Sequence, residues 1–147
     1  MKSSFSLAEQ KEYFIDIVSK ADQKTLAVWA VDCAERVLPY FEDSFPNDKR
    51  PKQALETLQT WLDTGVFKMS VIRGASLASH AAARDVNKDS SARSAARAAG
   101  QAAATAHVPT HAIGSAIYAL QAIHRAGGDV AKEREWQHKH LLDLAKK

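Results

Sequence analysis

The stretch Ser90–Ala126, SSARSAARAAGQAAATAHVPTHAIGSAIYALQAIHRA, decides the fold. Ala is the best helix former, because it loses no side-chain entropy and buries no polar group, so its density here predicts helix. At about 100° per residue, one face of the first half carries Ala alone, and the opposite face carries Arg93, Arg97 and Gln101. Because methyl groups let a neighbouring helix approach closely, we expect this helix at the centre of a bundle.

Pro109 predicts a kink or a break between this helix and the next one. Proline cannot donate a backbone hydrogen bond, and its ring clashes with the preceding helical turn. Since Thr110 is a suitable N-cap, the chain either kinks over residues 107–110 or restarts at His111. The second helix carries a broad arc of Ala, Ile and Leu, and Gly127 and Gly128 end it, since glycine readily adopts the left-handed cap.

The remaining helices follow from apolar periodicity and end signals. We predict helices at about residues 6–20, 22–42 (with a bend at Pro39), 51–65, 67–86 and 129–146. In the helix at 67–86 we expect the inward face to be Val71, Ala75, Ala78, Ala82 and Val86. We expect the KEREWQHKH segment, residues 132–140, to be mostly solvated. The prediction is thus an all-α, single-domain bundle of six to seven helices, with mostly antiparallel neighbours.

Length and composition favour one helical domain over residues 1–147. Helices at 1–20 and 129–147 are expected at the two ends of this domain. No apolar run is long enough for a membrane span, and the N-terminus lacks a signal-peptide pattern. The single cysteine, Cys33, is consistent with a reducing cytoplasm, and it lies in an apolar stripe that predicts a buried, inert thiol. A net charge of +3 does not by itself predict nucleic-acid binding, and homo-oligomerisation stays open.

The histidines are the first candidate binding residues. His107 and His111 are four residues apart, so on an unbroken helix they would share a face, and a third ligand such as His80 would complete an open metal site. The alternative is that they hydrogen-bond backbone that the proline leaves free. No HExxH pattern is present, and the sequence predicts no bound metal or cofactor. A polar pocket lined by His107, His111, Ser115 and Tyr118 is a further alternative.

Two charged groups are also candidates. Arg73 and Arg84 lie on the same side of their helix as His80, and together they could bind a carboxylate or phosphate; a solvated face is the simpler interpretation. Asp32, Glu35 and Arg36 form a polar cluster in a strongly apolar helix. We expect Glu35, Arg36 or both to form a structural salt bridge to a neighbouring helix, such as the Arg-bearing helix at 67–86. None of these residues is predicted to be catalytic.

The segment Trp29–Pro39, WAVDCAERVLP, resembles the bacterial "putative immunity protein" family, whose members carry a WAxDCAERVLP-like stretch. Further similar segments follow in the same order, and the resemblance covers about residues 25–126. They are Arg50-Pro51 with Gln53–Glu56, then His80 with Ala81–Arg84, and finally Ala98–Val108 with His111-Ala112. The matching positions that stand out are Asp32, Glu35, Arg36, His80, His107 and His111, whereas Gln101 stands where the family pattern suggests His.

The resemblance implies an all-helical protein that neutralises a cognate bacterial toxin by direct binding, and it favours a binding role over an enzymatic one. Two alternatives come from the residues themselves. One is a metal-dependent helical-bundle enzyme using His80, His107 and His111. The other is a small-molecule-binding helical protein that uses the same region with Tyr118. Nucleic-acid binding through Arg73, Arg84, Arg93 and Arg97 is a fourth and weaker alternative.

Overall fold

The computed structural model describes residues 5–147, which form eight α-helices and no strand. The all-α prediction is confirmed. The helices are α1 (Leu7–Ser19), α2 (Gln23–Glu35), α3 (Leu38–Glu42), α4 (Arg50–Thr64), α5 (Met69–Asp85), α6 (Ser91–Ala104), α7 (His111–Arg125) and α8 (Val130–Ala145).

The helix count exceeds the prediction because the segment at 22–42 divides in two. Helix α2 ends at Glu35, and α3 begins at Leu38 with Pro39 in its first turn. Proline has no N–H to donate to the carbonyl four residues earlier, and its ring clashes with that turn, but it fits the first turn of a new helix. The result is a helix break where we predicted a bend.

Helix α6 lies at the centre of the bundle and packs against α2, α3, α4, α5 and α7. Nine of its fourteen residues are buried, so the Ala-rich segment is surrounded on nearly all sides. The Ser79 hydroxyl donates to the Ala96 carbonyl at 2.8 Å, and the Ser76 hydroxyl donates to the Gly100 carbonyl at 2.8 Å. These contacts bring α5 against the backbone of α6, as small side chains allow.

The buried face of α5 agrees with the predicted one at the C-terminal end, where Ala82 and Val86 are buried, and differs from it in the first turns. Val71 is 52% exposed, whereas Ile72, Ser76 and Ser79 are buried. The hydroxyl groups can be buried because α6 carbonyls accept their hydrogen bonds, so the usual cost of burying a polar group is offset. The prediction assigned inward positions to apolar residues only, and in the first turns it therefore placed the inward face one residue too early.

Helix α8 is more deeply packed than its charged sequence suggests. Glu133 and Gln137 are buried. The Gln137 side-chain amide donates to the Ala116 carbonyl at 3.0 Å, and the Trp29 indole donates to the Gln137 carbonyl at 2.8 Å. Seven of the nine residues at 132–140 are exposed or partly exposed, as expected, whereas Glu133 and Gln137 contribute to the core.

Pro109 lies in a linker between α6 and α7. Helix α6 ends at Ala104 and α7 begins at His111, with Thr110 at the N-cap position but without a side-chain cap hydrogen bond. His107 and His111 consequently do not lie on one continuous helix. Among the helices of residues 5–147, none combines the length and the hydropathy that a bilayer span requires.

Candidate functional site

His80 on α5 pairs with Arg97 on α6. Arg97 Nη1 lies 2.9 Å from His80 Nδ1. Because a guanidinium can only donate, Nδ1 must be the acceptor, and the imidazole is neutral with its proton on Nε2. Burial, followed by the positive charges of Arg97 and Arg84 and by His111, lowers the pKa of His80 to about 4. His80 is therefore an uncharged hydrogen-bond acceptor at neutral pH.

His111 at the start of α7 pairs with Gln101 on α6. His111 Nδ1 donates to Gln101 Oε1 at 2.7 Å. The Gln101 side chain lies over Gly114, where an added Cβ would be 2.6 Å from Oε1. Burial, and then the nearby His107, lowers the pKa of His111. Gln101 thus fixes the orientation of a second neutral imidazole.

His107 lies in the linker, on a different part of the surface. Its ring stacks on Phe67 with the ring centroids 6.2 Å apart. With Arg73, Met69 and Leu77 it lines a small pocket of about 210 Å³ between α5 and the end of α6. The structure therefore places Arg73 beside His107 rather than beside His80.

Tyr118 lines an open groove of about 730 Å³ between α1 and α7, together with Gln101 and His111. His107 does not line this groove. Ser115 is buried, and its hydroxyl donates to the Ala30 carbonyl at 3.1 Å. Of the four residues suggested for one polar pocket, only His111 and Tyr118 line a common cavity.

The three histidines do not form a metal-ligand set. Within the described part of the chain, no group of three or more His, Cys, Asp or Glu side chains is placed to hold a metal ion. Arg97 occupies Nδ1 of His80, and Gln101 occupies Nδ1 of His111. The geometry gives no support to a metal-dependent enzyme that uses His80, His107 and His111.

The polar cluster of α2 contacts α8, and not the Arg-bearing helix α5. Arg36 Nε lies 2.7 Å from one Glu133 carboxylate oxygen, and Nη2 lies 2.9 Å from the other. Asp32 Oδ2 lies 2.7 Å from His140 Nε2. Glu35 stays exposed at the groove between α3 and α4, and partial burial and then Asp32 raise its pKa. Arg36 and Asp32 therefore join α2 to α8.

The sequence analysis did not predict an exposed group of large apolar residues on and beside α5. We call it the α5 patch; it consists of Val66, Phe67, Met69, Val71 and Leu77. Their exposed fractions range from 40% for Met69 to 59% for Val66. The signal in the sequence was Leu77, an apolar residue that lies one turn from Arg73 on the polar side of α5. The patch spans the α4–α5 loop and the outer face of α5.

The stretch of sequence that carries the α5 patch is basic. Residues 64–128 contain seven Lys and Arg residues but only two acidic ones, Asp85 and Asp89. Asp85 pairs with Arg50 at 2.8 Å, and Asp89 pairs with Arg93 at 2.7 Å. We define the basic rim as Lys68, Arg73, Arg84 and Arg97, for which residues 5–147 provide no salt bridge.

Comparison with known proteins identifies the family. The family model described as "Imm-5 like putative immunity protein" matches residues 16–144. No curated protein and no solved structure matches the chain. The match confirms the resemblance first seen at Trp29–Pro39, and it includes α8, whose buried residues complete the core. The chain belongs to the Imm-5 like putative immunity protein family.

Proposed function

We propose that this protein neutralises a cognate bacterial protein toxin by binding it directly, with the α5 patch as the centre of the contact. Family membership supports the immunity role. The observation that carries the choice of surface is the clustering of five exposed, large apolar residues within residues 66–77. Contiguous exposed apolar surface on a folded protein typically marks a site of protein interaction.

Two of the five patch residues, Phe67 and Met69, are of types found at the centres of protein interfaces. Aromatic residues and Met are enriched at interface centres, where they exclude water from neighbouring contacts. Phe67 already stacks on His107, so the α4–α5 loop and the α6–α7 linker form one continuous surface. Since α5 is fixed on α6 by two buried serine hydrogen bonds, the patch lies on a rigid support.

The experiment that tests this proposal measures both protection from a toxin and direct binding to it. Each protein encoded beside this gene is produced in a bacterium with and without this chain, and growth is measured. A toxic neighbour whose toxicity the chain relieves is then purified and titrated against it by calorimetry. We expect protection and a stoichiometric complex; a wild-type chain that neither protects against nor binds any toxic neighbour would refute the proposal.

Matched variants test the surface. Leu77→Asp places a charge in the α5 patch, and Leu142→Asp places one on α8, where Leu142 is 44% exposed. We expect Leu77→Asp to abolish protection and Leu142→Asp to retain it, with circular dichroism verifying that both variants fold. Full protection by folded Leu77→Asp would remove the α5 patch from the interface.

A further inference from the structure

We infer that the toxin surface bound by this chain is acidic, with carboxylates arranged around an apolar centre. The inference rests on the proposed function and goes beyond it, because family membership says nothing about the charge of the partner. It depends on three observations. The excess positive charge lies in one part of the fold, intramolecular ion pairs occupy the acids of that part, and residues of the α5 patch lie among the cations of the basic rim.

The excess positive charge is confined to one part of the fold. Residues 90–128, which include α6 and α7, contain no acidic residue, and Asp85 is the single acid of α5. The acids of the chain lie mainly on α1 to α4 and on α8. The net charge of +3 therefore does not show how unevenly the charge is distributed, because it is the sum of a basic part and a mildly acidic remainder.

The two acids within this basic region do not neutralise the basic rim. Asp85 Oδ2 is held by Arg50 at 2.8 Å, and Asp89 Oδ1 by Arg93 at 2.7 Å. Arg125 also lies 3.8 Å from Asp89. Intramolecular pairs thus occupy both carboxylates, and the rim residues retain their charge for a partner.

The basic rim and the α5 patch interleave. Lys68 lines a pocket of about 370 Å³ with Val66 and Val71. Arg73 lines the neighbouring pocket with Met69 and Leu77. A toxin surface that fits here must offer apolar groups to the two pockets. It must also offer carboxylates beside them, because a cation of the basic rim lines each pocket. Such complementarity steers encounter and selects the partner.

The same arrangement favours a protein over a nucleic acid. Most contacts to nucleic acid are made to phosphate oxygens, and these give the exposed Val66, Val71 and Leu77 no apolar partner. Phe67, the aromatic residue of the patch, is already stacked on His107 and does not offer a free ring face on that side. Burying the patch requires a partner with apolar side chains of its own.

The charge also restricts which toxin surface can be contacted. A cleft that binds the phosphate backbone is itself lined with Lys and Arg, and like charges brought together at an interface cost several kcal/mol. The basic rim would be repelled by such a cleft. The contact is therefore made with an acidic surface of the toxin, and not with a phosphate-binding site.

The test is a kinetic measurement of the complex with the toxin identified by protection. Raising the salt concentration from about 0.05 to about 0.5 M should slow association at least 10-fold. Lys68→Glu and Arg73→Glu should each weaken binding about 10-fold, mainly through slower association. Lys139→Glu, an exposed cation on α8, is the matched control and should change binding less than about 2-fold.

The outcomes separate the two proposals. If the wild-type chain binds and protects, but association is independent of salt and the rim variants behave like Lys139→Glu, the acidic partner is refuted and the immunity function stands. If the wild-type chain neither binds nor protects, the immunity function itself fails. Tight, salt-dependent binding of a DNA or RNA duplex of about 20 base pairs, lost in Arg73→Glu, would overturn the inference in favour of a nucleic-acid ligand.

Discussion

The imidazole of His80 lies so close to Gly100 that a Cβ added there would be 2.7 Å from His80 Nε2. This contact joins α5 to α6 where the Gly100 carbonyl also accepts the Ser76 hydroxyl at 2.8 Å. Glycine is thus needed in the middle of a helix, where it is otherwise unfavourable. The space left by the missing side chain is what allows His80 to reach Arg97.

Gly100→Ala should destabilise the protein by about 0.5–2 kcal/mol, because the usual overpacking cost of about 1–3 kcal/mol exceeds the gain in helix propensity of about 0.5–1 kcal/mol. The methyl group must displace the His80 ring and weaken its hydrogen bond to Arg97. Gly74→Ala is the control, because a Cβ at this exposed position on α5 meets nothing within 4 Å. There the better helix propensity of Ala should add about 0.5–1 kcal/mol. Urea unfolding measures both, and equal effects would contradict the assigned contact.

Stability should fall on acidification, with His80 as a main contributor. Its folded-state pKa of about 4 lies below the ordinary 6.5, so below pH 6.5 the unfolded chain binds the proton more readily than the folded one. The stability from neutral His80 is present above about pH 6.5 and is lost as the pH falls towards 4. Allowing for partial exposure, we expect a loss of about 1–2 kcal/mol between pH 7 and pH 5.

His80→Gln tests that assignment. Glutamine can still accept a hydrogen bond from Arg97, but it does not titrate. The variant should flatten the dependence of the unfolding free energy on pH without removing it, since the pKa of His111 is also lowered. An NMR titration that placed the His80 pKa at or above 6.5 would contradict the buried, neutral imidazole.

Sequence reasoning predicted the helices well where local physics decides them. Ala density is sufficient for α6, and Ser6, Asp22, Ser90 and Asp129 each accept a backbone N–H at a helix start. These signals depend on residues within one turn of each other. They can therefore be read from the sequence without knowing which helices become neighbours.

The site was harder to predict because its partners are distant in the chain. His80 meets Arg97, and Arg36 meets Glu133 across 97 positions, on helices whose rotation decides the contact. In the first turns of α5 the buried face includes Ser76 and Ser79 and lies one residue later than predicted, so Val71 is exposed. A pattern of apolar residues cannot show that a polar side chain finds an acceptor on a neighbouring helix.

Cys33 should be unreactive while the protein is folded. It is fully buried, and burial raises the pKa of its thiol well above the usual value. Since the thiolate is the reacting species, a thiol-specific reagent at about pH 8 should label it only when the core opens, and complete reaction should require denaturant. Prompt stoichiometric labelling of the native protein would show that the α2 core is open to solvent.

Arg36→Ala should destabilise the protein by about 2 kcal/mol, more than a surface ion pair is worth. Glu133 is only 8% exposed, so removing its partner leaves an uncompensated carboxylate; this is costly, and the partial exposure of Arg36 moderates the cost. The substitution also removes the guanidinium from the Trp136 ring, 3.8 Å from its centroid. Lys20→Ala, which breaks an exposed pair with Asp16, should cost less than about 1 kcal/mol.

A double-mutant cycle with Glu133→Gln separates the ion pair from the packing of Arg36 on Trp136. Gln carries no charge, so in its presence Arg36→Ala no longer leaves a buried carboxylate unpaired. The double variant should therefore be more stable than the sum of the single effects indicates, by at least about 1 kcal/mol. Urea unfolding of the four proteins at neutral pH gives the coupling. Additive effects would mean that Arg36 joins α2 to α8 through its contact with Trp136 alone.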